Sequence, residues 1–595
     1  MTSLSKFILC ALCVLCGEIS AAALDREAFT FVRWDLEATI SPSSHELAVH
    51  GKVTLRNDGG ALQRHAVLQV SSSFAWQSVR VAGKMLRLEP QNYVSDVDHT
   101  GSLSEVVVAL PQEVAPGGTV ELEVEYSGKV AQDATRLVRL GTPEGAALRS
   151  DWDRISESFT AVRGVGYVAW YPIATESASL ADGNEVFELL GRWKRRHAES
   201  SLRVVFHVNF PLASASTVVS NGKAVAGGGP GQTTVTYGFE PLGTASPTFV
   251  VAGYRALLQA VARVYHLPGH EEAAGEYARV AASLQPLVAS WFGPPRKKFE
   301  VVELAEGTAL STSRPRSGQP LDIAPYESGA MLFTPLHTAQ RDRLEVALIH
   351  PMTHASLASP RTWIQEGVAH FAQALEREQQ QGRAAALEYL QRQRPALVAA
   401  EKAMADAASR APASGAGNGE PAARPPSLIT SDDEVLYRTK AMFVWWMLRD
   451  LAGDAALQRA LQAYRPELDK SPAYVQSLME QESGRPLEWF FDDWVYRGRG
   501  LPDFRVAETK VRPNMDGSFT VDVSVENFGT ATAEVPVTVR TEAASATQRL
   551  LVPADSSEEV RITVSAKPLE VVVNDGSVPE PEMNNNRVPV QVSEP

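Results

Sequence analysis

The sequence predicts a multidomain α+β protein: an N-terminal antiparallel β saddle or sandwich, a mainly helical middle, and a smaller β sandwich at the C-terminus. Three observations predict it. The chain has 595 residues, too many for one domain and enough for about three to five. Apolar and polar residues alternate over roughly 26–250 and again after 501, the period-two pattern of strands with one buried face. Between those regions the apolar spacing changes to three and four residues, the pattern of amphipathic helices.

In the N-terminal region, TFVRWDLEATI (30–40), ELAVHGKVTLRN (46–57), TVELEVEYSGKV (119–130) and SSLRVVFHVNF (200–210) alternate cleanly, with Gly, Pro, Asn and Asp between them. Many short strands with frequent turns pack as two sheets. AVAGGGPGQTT (224–234) reads as a hairpin tip or loop. The period changes near Ala256. HEEAAGEYARVAASLQPLVASWFG (270–293) reads as a helix stopped by Gly293-Pro294-Pro295, and KKFEVVEL (297–304) as a strand. RDRLEVALIHPMTHASL (341–357), TWIQEGVAHFAQALEREQQQ (362–381) and RTKAMFVWWMLRDLAGDAALQRALQAYR (438–465) read as helices. ADAASRAPASGAGNGEPAARPP (405–426), poor in aromatics and rich in Ala, Pro and Gly, reads as a surface loop. LPDFRV opens the last β region, where SFTVDVSVENFG, AEVPVTVRTE, SEEVRITVSA and PLEVVVNDG alternate as in an immunoglobulin-like sandwich. The domains expected are therefore 24–255 (β sandwich), 256–500 (helical) and 501–595 (immunoglobulin-like), preceded by a leader over 1–23.

That leader, MTSLSKFILCALCVLCGEISAAALD, has a lysine, an apolar run from Phe7 to Leu15 and small residues from Ser20 to Ala23. It is the pattern of a signal peptide cleaved near Ala22 or Ala23, so the mature chain is expected to be exported, periplasmic or extracellular. The apolar run is about half the ~20 residues a membrane span requires, and no other stretch qualifies as a transmembrane segment. A lipid anchor at Cys16 fits poorly, because Leu15 stands where a small residue is expected. Cys10, Cys13 and Cys16 all lie in the leader, so the mature chain is expected to have neither disulfides nor cysteine metal ligands. The net charge of −14, spread along the chain, argues against nucleic acid or an anionic membrane as partner.

The residues that carry chemistry lie between Leu344 and Phe371. His350 and His354 stand four apart on a predicted helix, hence on one face and close enough to share a metal. Glu366 on the following helix is the candidate third ligand, and two imidazoles plus one carboxylate form a catalytic zinc set with a position left for water. An H-x-x-x-H pair alone is weak evidence, since two core or surface histidines share that spacing.

The surroundings resemble a family. GYVAWYPIA and VFHVNFPLASASTVVSNGKAV, then YESGAMLF, HPMTH, WIQEGVAHF, YRTKAMFVWWMLRDLAGDAALQRALQAY and LEWFFDDWVYRGRGLPDF occur in the order of motifs in the aminopeptidase N family of gluzincin zinc metallopeptidases. The chain resembles a divergent, bacterial-type member over roughly 29–504. The C-terminal DGSVPEPEMNNN weakly resembles bacterial adhesion-type sandwich repeats. The resemblance implies a β saddle, a thermolysin-like helical domain, and zinc held by His350, His354 and Glu366. It also implies Tyr437 as the donor to the oxyanion, although two residues, Arg438 and Thr439, separate it from Lys440 where the family has one.

The departures carry the functional reading. Pro351 occupies the position of the family's general-base glutamate and can neither accept nor donate a proton. Leu332 and Phe333 stand where the family's G-A-M-E-N strand has the glutamate and asparagine that hold the substrate's amine and backbone; core packing is the simple account of both. Proline also withholds an N–H from the Ala347 carbonyl, so a kink between Ala347 and His350 is expected, with zinc binding in the balance. His370, Glu327 and Glu345 are local residues that could replace the base, and spacing selects none of them; for His370 a structural histidine is the favoured account.

The expectation is an exported protein with a metallopeptidase fold and impaired catalysis, binding a peptide or protein ligand in its cleft or serving as a scaffold. The alternatives are an active zinc metallopeptidase with a substitute base, and a surface interaction protein that binds through its sandwiches.

Overall fold

The structure, a computed structural model, describes residues 24–209, 216–227, 233–305, 325–336, 341–410 and 427–590. The leader and residues 411–426 of the Ala/Pro/Gly stretch lie outside the described residues.

The alternating N-terminal segments form an eight-stranded sheet. Its edge-to-edge order is Lys223–Gly227, Thr234–Phe239, Ser201–Val208, Phe29–Ser41, Glu46–Asn57, Thr119–Lys129, Phe74–Val81 and Lys84–Met85. Two three-stranded sheets complete the region, one from Gln63–Ser71, Ser102–Val114 and Gln91–Val94, the other from Thr217–Ser220, Phe249–Ala252 and Thr160–Val162. Pairing is antiparallel except between Phe29–Ser41 and Ser201–Val208, which run parallel. A parallel pair needs a long crossover, and here most of the domain lies between the two strands. The core is the alternation made physical: Trp34, Leu36, Ala38 and Ile40 on one strand and Leu202, Val204 and Phe206 on its neighbour are buried.

This region also holds a buried ionic network. His99 Nδ1 lies 3.0 Å from Asp151 Oδ2, and Arg163 donates from Nε to Asp153 Oδ2 at 2.8 Å. Burial alone would lower the pKa of His99; the Asp151 hydrogen bond and the charge of Asp98 overcome it and raise the group to about 9. A histidine raised above its unfolded value of about 6.5 contributes stability below that pH and loses it as pH climbs through 9. Equilibrium unfolding from pH 6.5 to 9.5 should therefore show the N-terminal region losing on the order of 3 kcal/mol. His99→Gln should flatten that slope.

The middle region opens with a five-stranded sheet in the order Arg255–Leu258, Ala262–His266, Phe299–Glu303, Met331–Thr334 and Tyr326–Ser328. Helix Glu271–Phe292 ends at Gly293, whose φ of 82° only glycine adopts without strain. Helices Arg341–Ser356 and Thr362–Gln381 follow. Helix Arg383–Arg410, which sequence periodicity did not single out, runs into the start of the Ala/Pro/Gly stretch, so Ala405 to Arg410 are helical rather than loop. The segment read as helix over 438–465 is divided: a π-helical turn Val435–Lys440, helix Ala441–Ala452, a break at Gly453 and helix Asp454–Ala463.

The C-terminal strands pack as two sheets. Phe504–Pro513, Phe519–Asn527 and Ser556–Val564 form one; Ser545–Val552, Ala533–Thr541, Pro568–Val573 and Arg587–Pro589 form the other. Val521, Val523 and Val525 face Val535, Val537 and Val539 in a core continuous with that of the helical region. The Trp494 indole N–H donates to the Thr532 carbonyl at 2.8 Å and the Gln391 amide to the Gly576 carbonyl at 2.7 Å, docking the sandwich on the helices. Among the described residues no helix is long and apolar enough to cross a membrane.

Candidate metal centre

Helix Arg341–Ser356 carries both predicted histidines, and Pro351 lies inside it. The proline does not turn His350 away from its partner: the Nε2 atoms of His350 and His354 are 3.2 Å apart. The next helix presents Glu366, with Oε2 at 3.7 Å from His350 Nε2 and Oε1 at 3.7 Å from His354 Nε2. Four residues on, one helical turn, stands His370, its ring centroid 4.8 Å from that of His350. Glu327 enters from the edge strand Tyr326–Ser328, placing Oε2 3.3 Å from His350 Nε2. Its pairing partner across the sheet is Leu332.

Packing explains why Glu366 arrives where it does. A Cβ on Gly367 would stand 2.6 Å from Ala441 Cβ and 3.0 Å from the Trp445 ring, so the two helices touch at that glycine. Trp363 and Trp445 stack there with centroids 5.3 Å apart. The same contact brings the π-helical turn alongside Glu366. The interval from Tyr437 to Lys440 lies on that π turn. Arg438 lies on that turn, with Nε 3.3 Å from Glu366 Oε2.

The electrostatics follow from burial. Removal from water lowers the pKa of His350 to about 3, with His354 adding to the effect. It likewise lowers His354 to about 4 and His370 to about 3. Burial opposes ionisation of Glu366, but the fields of His354 and Arg438 hold it at about 2. Because the histidines are neutral near pH 7, Arg438 is the cation that matters there. Burial and the charge of Glu366 raise Glu327 to about 8, so it keeps its proton at neutral pH. The cluster thus comprises three neutral imidazoles, one carboxyl, one carboxylate and one guanidinium, with no net charge.

Tetrahedral zinc with bonds of 2.0–2.1 Å sets its ligand atoms about 3.3 Å apart. The separations of 3.2, 3.7 and 3.7 Å among His350, His354 and Glu366 are close to that, so by spacing alone these atoms could surround a divalent ion. His350, Glu366 and His370 also form a group whose ligand atoms lie within 4.8 Å of one another.

The remaining sequence-derived residues fall as follows. Tyr437 lies on the π turn, half-buried, with Arg438 Cζ 5.9 Å from its ring centroid; burial and the charge of Glu366 raise its pKa. Leu332 is buried in the helical core, and Phe333 packs beside Trp152 and Tyr326. Both are core residues, as the simple account held. Glu345 is buried on the histidine helix. The sequence reading treated Arg438 only as a spacer; the enlarged Tyr437–Lys440 interval was the signal that could have found it. A cavity of about 350 Å³ opens beside His370 and Arg438, walled by Phe187, Tyr389, Val435 and Met442.

Comparison with protein-family profiles gives no match, and comparison with curated proteins gives none. Solved structures do match. The M1 zinc metallopeptidase of Deinococcus radiodurans is 17% identical with a TM-score of 0.43, over 80% of this chain and 96% of that one. Legionella pneumophila aminopeptidase A, solved with aspartic acid, is 11% identical with a TM-score of 0.53, over 94% of this chain and 60% of that one. At these identities the likeness concerns fold alone, and the second match spans nearly the whole chain: the fold is similar to that of the Legionella aminopeptidase.

Proposed function

We propose that this is an exported protein with an M1 metallopeptidase fold, impaired in peptide hydrolysis, that binds a peptide or protein in its cleft. One observation carries the reading. Pro351 sits in the helix between two convergent histidines, at the position where hydrolysis needs a proton acceptor, and a pyrrolidine ring cannot be one. The burial of Leu332 and Phe333 supports it further, since neither can hold a substrate's ammonium group. Zinc, when bound, acidifies a water and polarises a carbonyl. His350, His354 and Glu366 are the residues that the resemblance assigns to holding it, and Tyr437 is the assigned oxyanion donor. Export rests on the leader alone, and N-terminal sequencing of the secreted chain should begin at Ala23 or Leu24.

A second reading, an active peptidase with a substitute base, is favoured by the Glu327 carboxyl 3.3 Å from His350 Nε2. One experiment separates the two. The purified mature protein with zinc is assayed on unblocked and internally quenched peptides, with binding of the same peptides followed by fluorescence anisotropy. The expected result is saturable binding with no cleavage above the level of His350→Ala. Cleavage that His350→Ala removes would overturn the proposal, and its further loss in Glu327→Gln would identify the base.

A further inference from the structure

We infer that the divalent-metal site of this chain is built on His350, Glu366 and His370, with His354 outside the ligand set. The argument rests on which ring nitrogen of each histidine bears the proton. A neutral imidazole has one N–H and one lone pair, and only the lone pair binds a metal; the hydrogen bond at one nitrogen decides the state of the other.

For His370 the deciding group is Gln373. Its amide nitrogen donates to the Val346 carbonyl at 3.0 Å, and a carbonyl can only accept, so the amide orientation is settled. Its Oε1 is therefore the atom facing His370 Nδ1 at 2.9 Å, and it also accepts from the Tyr389 hydroxyl at 2.9 Å. His370 Nδ1 must carry the proton. Its Nε2 is left with a lone pair, buried and, among the described residues, without a hydrogen-bond partner. A buried acceptor with no donor is costly, and a metal ion is a group that would satisfy it.

For His354 the same reasoning gives the opposite result. Gln365 Oε1 accepts from the Ser359 backbone N–H at 2.8 Å, and a backbone N–H can only donate. The Gln365 amide nitrogen is thus the atom against His354 Nδ1, which must accept. The proton of His354 then resides on Nε2, the atom 3.2 Å from His350 Nε2 and 3.7 Å from Glu366 Oε1. His354 donates a hydrogen bond into the cluster rather than offering a lone pair.

Without an ion, His350 Nε2 accepts that bond; its lone pair faces the centre, with Glu366 Oε2 at 3.7 Å and Glu327 Oε2 at 3.3 Å, and an ion bound there would replace the His354 N–H as its partner. Two imidazoles and one carboxylate suit zinc or another borderline first-row divalent ion. Arg438 stands 3.3 Å from Glu366 Oε2 and offsets the charge of that carboxylate while the site holds no ion. The ligand atoms of His350, Glu366 and His370 lie within 4.8 Å of one another, so closing on an ion asks for a contraction of up to about 1.5 Å.

The test is metal binding by the full mature chain, read by cobalt(II) visible absorption and by zinc stoichiometry after dialysis, neither of which depends on activity or on peptide. Expected are about one metal per chain, a loss of affinity of more than 100-fold in His350→Ala and His370→Ala, and a loss of only about 10-fold, with metal still bound, in His354→Ala. Gln373→Leu, which removes the amide that sets the His370 proton, should weaken binding about 10-fold, whereas Gln365→Leu should not. Circular dichroism of each variant checks folding, and the two glutamine variants serve where a histidine variant fails to fold. Loss of metal in His354→Ala, whether or not His370→Ala retains it, overturns the assignment, as does the absence of metal from the parent protein. The inference concerns the metal at the site of the proposed function and stands or falls apart from peptide hydrolysis: cleavage by the parent protein would sink that reading while leaving these affinities unchanged.

Discussion

Replacing Pro351 with glutamate is expected to raise hydrolysis of a blocked, internally quenched peptide by about 10²- to 10⁴-fold, the range general acid–base assistance supplies. The substitution acts on two links at once. It returns to the helix an N–H for the Ala347 carbonyl, which proline withholds, and it places a proton acceptor next to His350, whose imidazole already converges with His354 and Glu366. The peptide must be blocked at its N-terminus. Leu332 and Phe333 are buried and offer no partner for a free amine, so unblocked peptides should show no advantage. Initial rates at matched metal occupancy measure the effect. Full occupancy with no gain in rate would mean that more than the base has been lost, and that the cleft no longer orients a scissile bond.

The second large effect is on stability. Lys440 Nζ donates to Glu401 Oε1 at 2.6 Å, with the two side chains only 4% and 8% exposed, and the ammonium lies 5.9 Å from the centroid of the Trp494 ring. The pair ties the end of the π turn to helix Arg383–Arg410. Lys440→Ala leaves a buried carboxylate without its counter-charge, an arrangement that costs about 3–5 kcal/mol. Replacing both partners by apolar residues of similar size, Lys440→Met with Glu401→Leu, should recover most of that loss. Urea unfolding of the single and double variants measures both. Equal destabilisation by the two would show that packing around the aliphatic stems, rather than the unpaired charge, sets the cost.

Much of the architecture was legible because it is local. The alternation in the segment 30–40 became a strand whose Trp34, Leu36, Ala38 and Ile40 are buried, and the stop at Gly293 became a helix end with φ of 82°. Helix Arg383–Arg410 escaped notice because Pro395 interrupts its pattern and its last turns have the composition of a loop. The parallel pairing of Phe29–Ser41 with Ser201–Val208 was equally hidden, since it joins strands more than a hundred residues apart.

By itself the sequence determined which side chains could do chemistry here and which could not. The His350–His354 spacing, Glu366 on the following helix and the inert ring at position 351 are all properties of a short stretch with helical period, where residues four apart must share a face. Tertiary structure alone decided what else joins them. Glu327 reaches His350 from the edge strand paired against Leu332, and Arg438 reaches Glu366 from a π turn beside the Gly367 contact. The protons on His354 and His370 are assigned by Gln365 and Gln373 through their bonds to Ser359 and Val346. Those assignments depend on hydrogen bonds between helices and loops that close only when the chain is packed, and no periodicity along the chain encodes them.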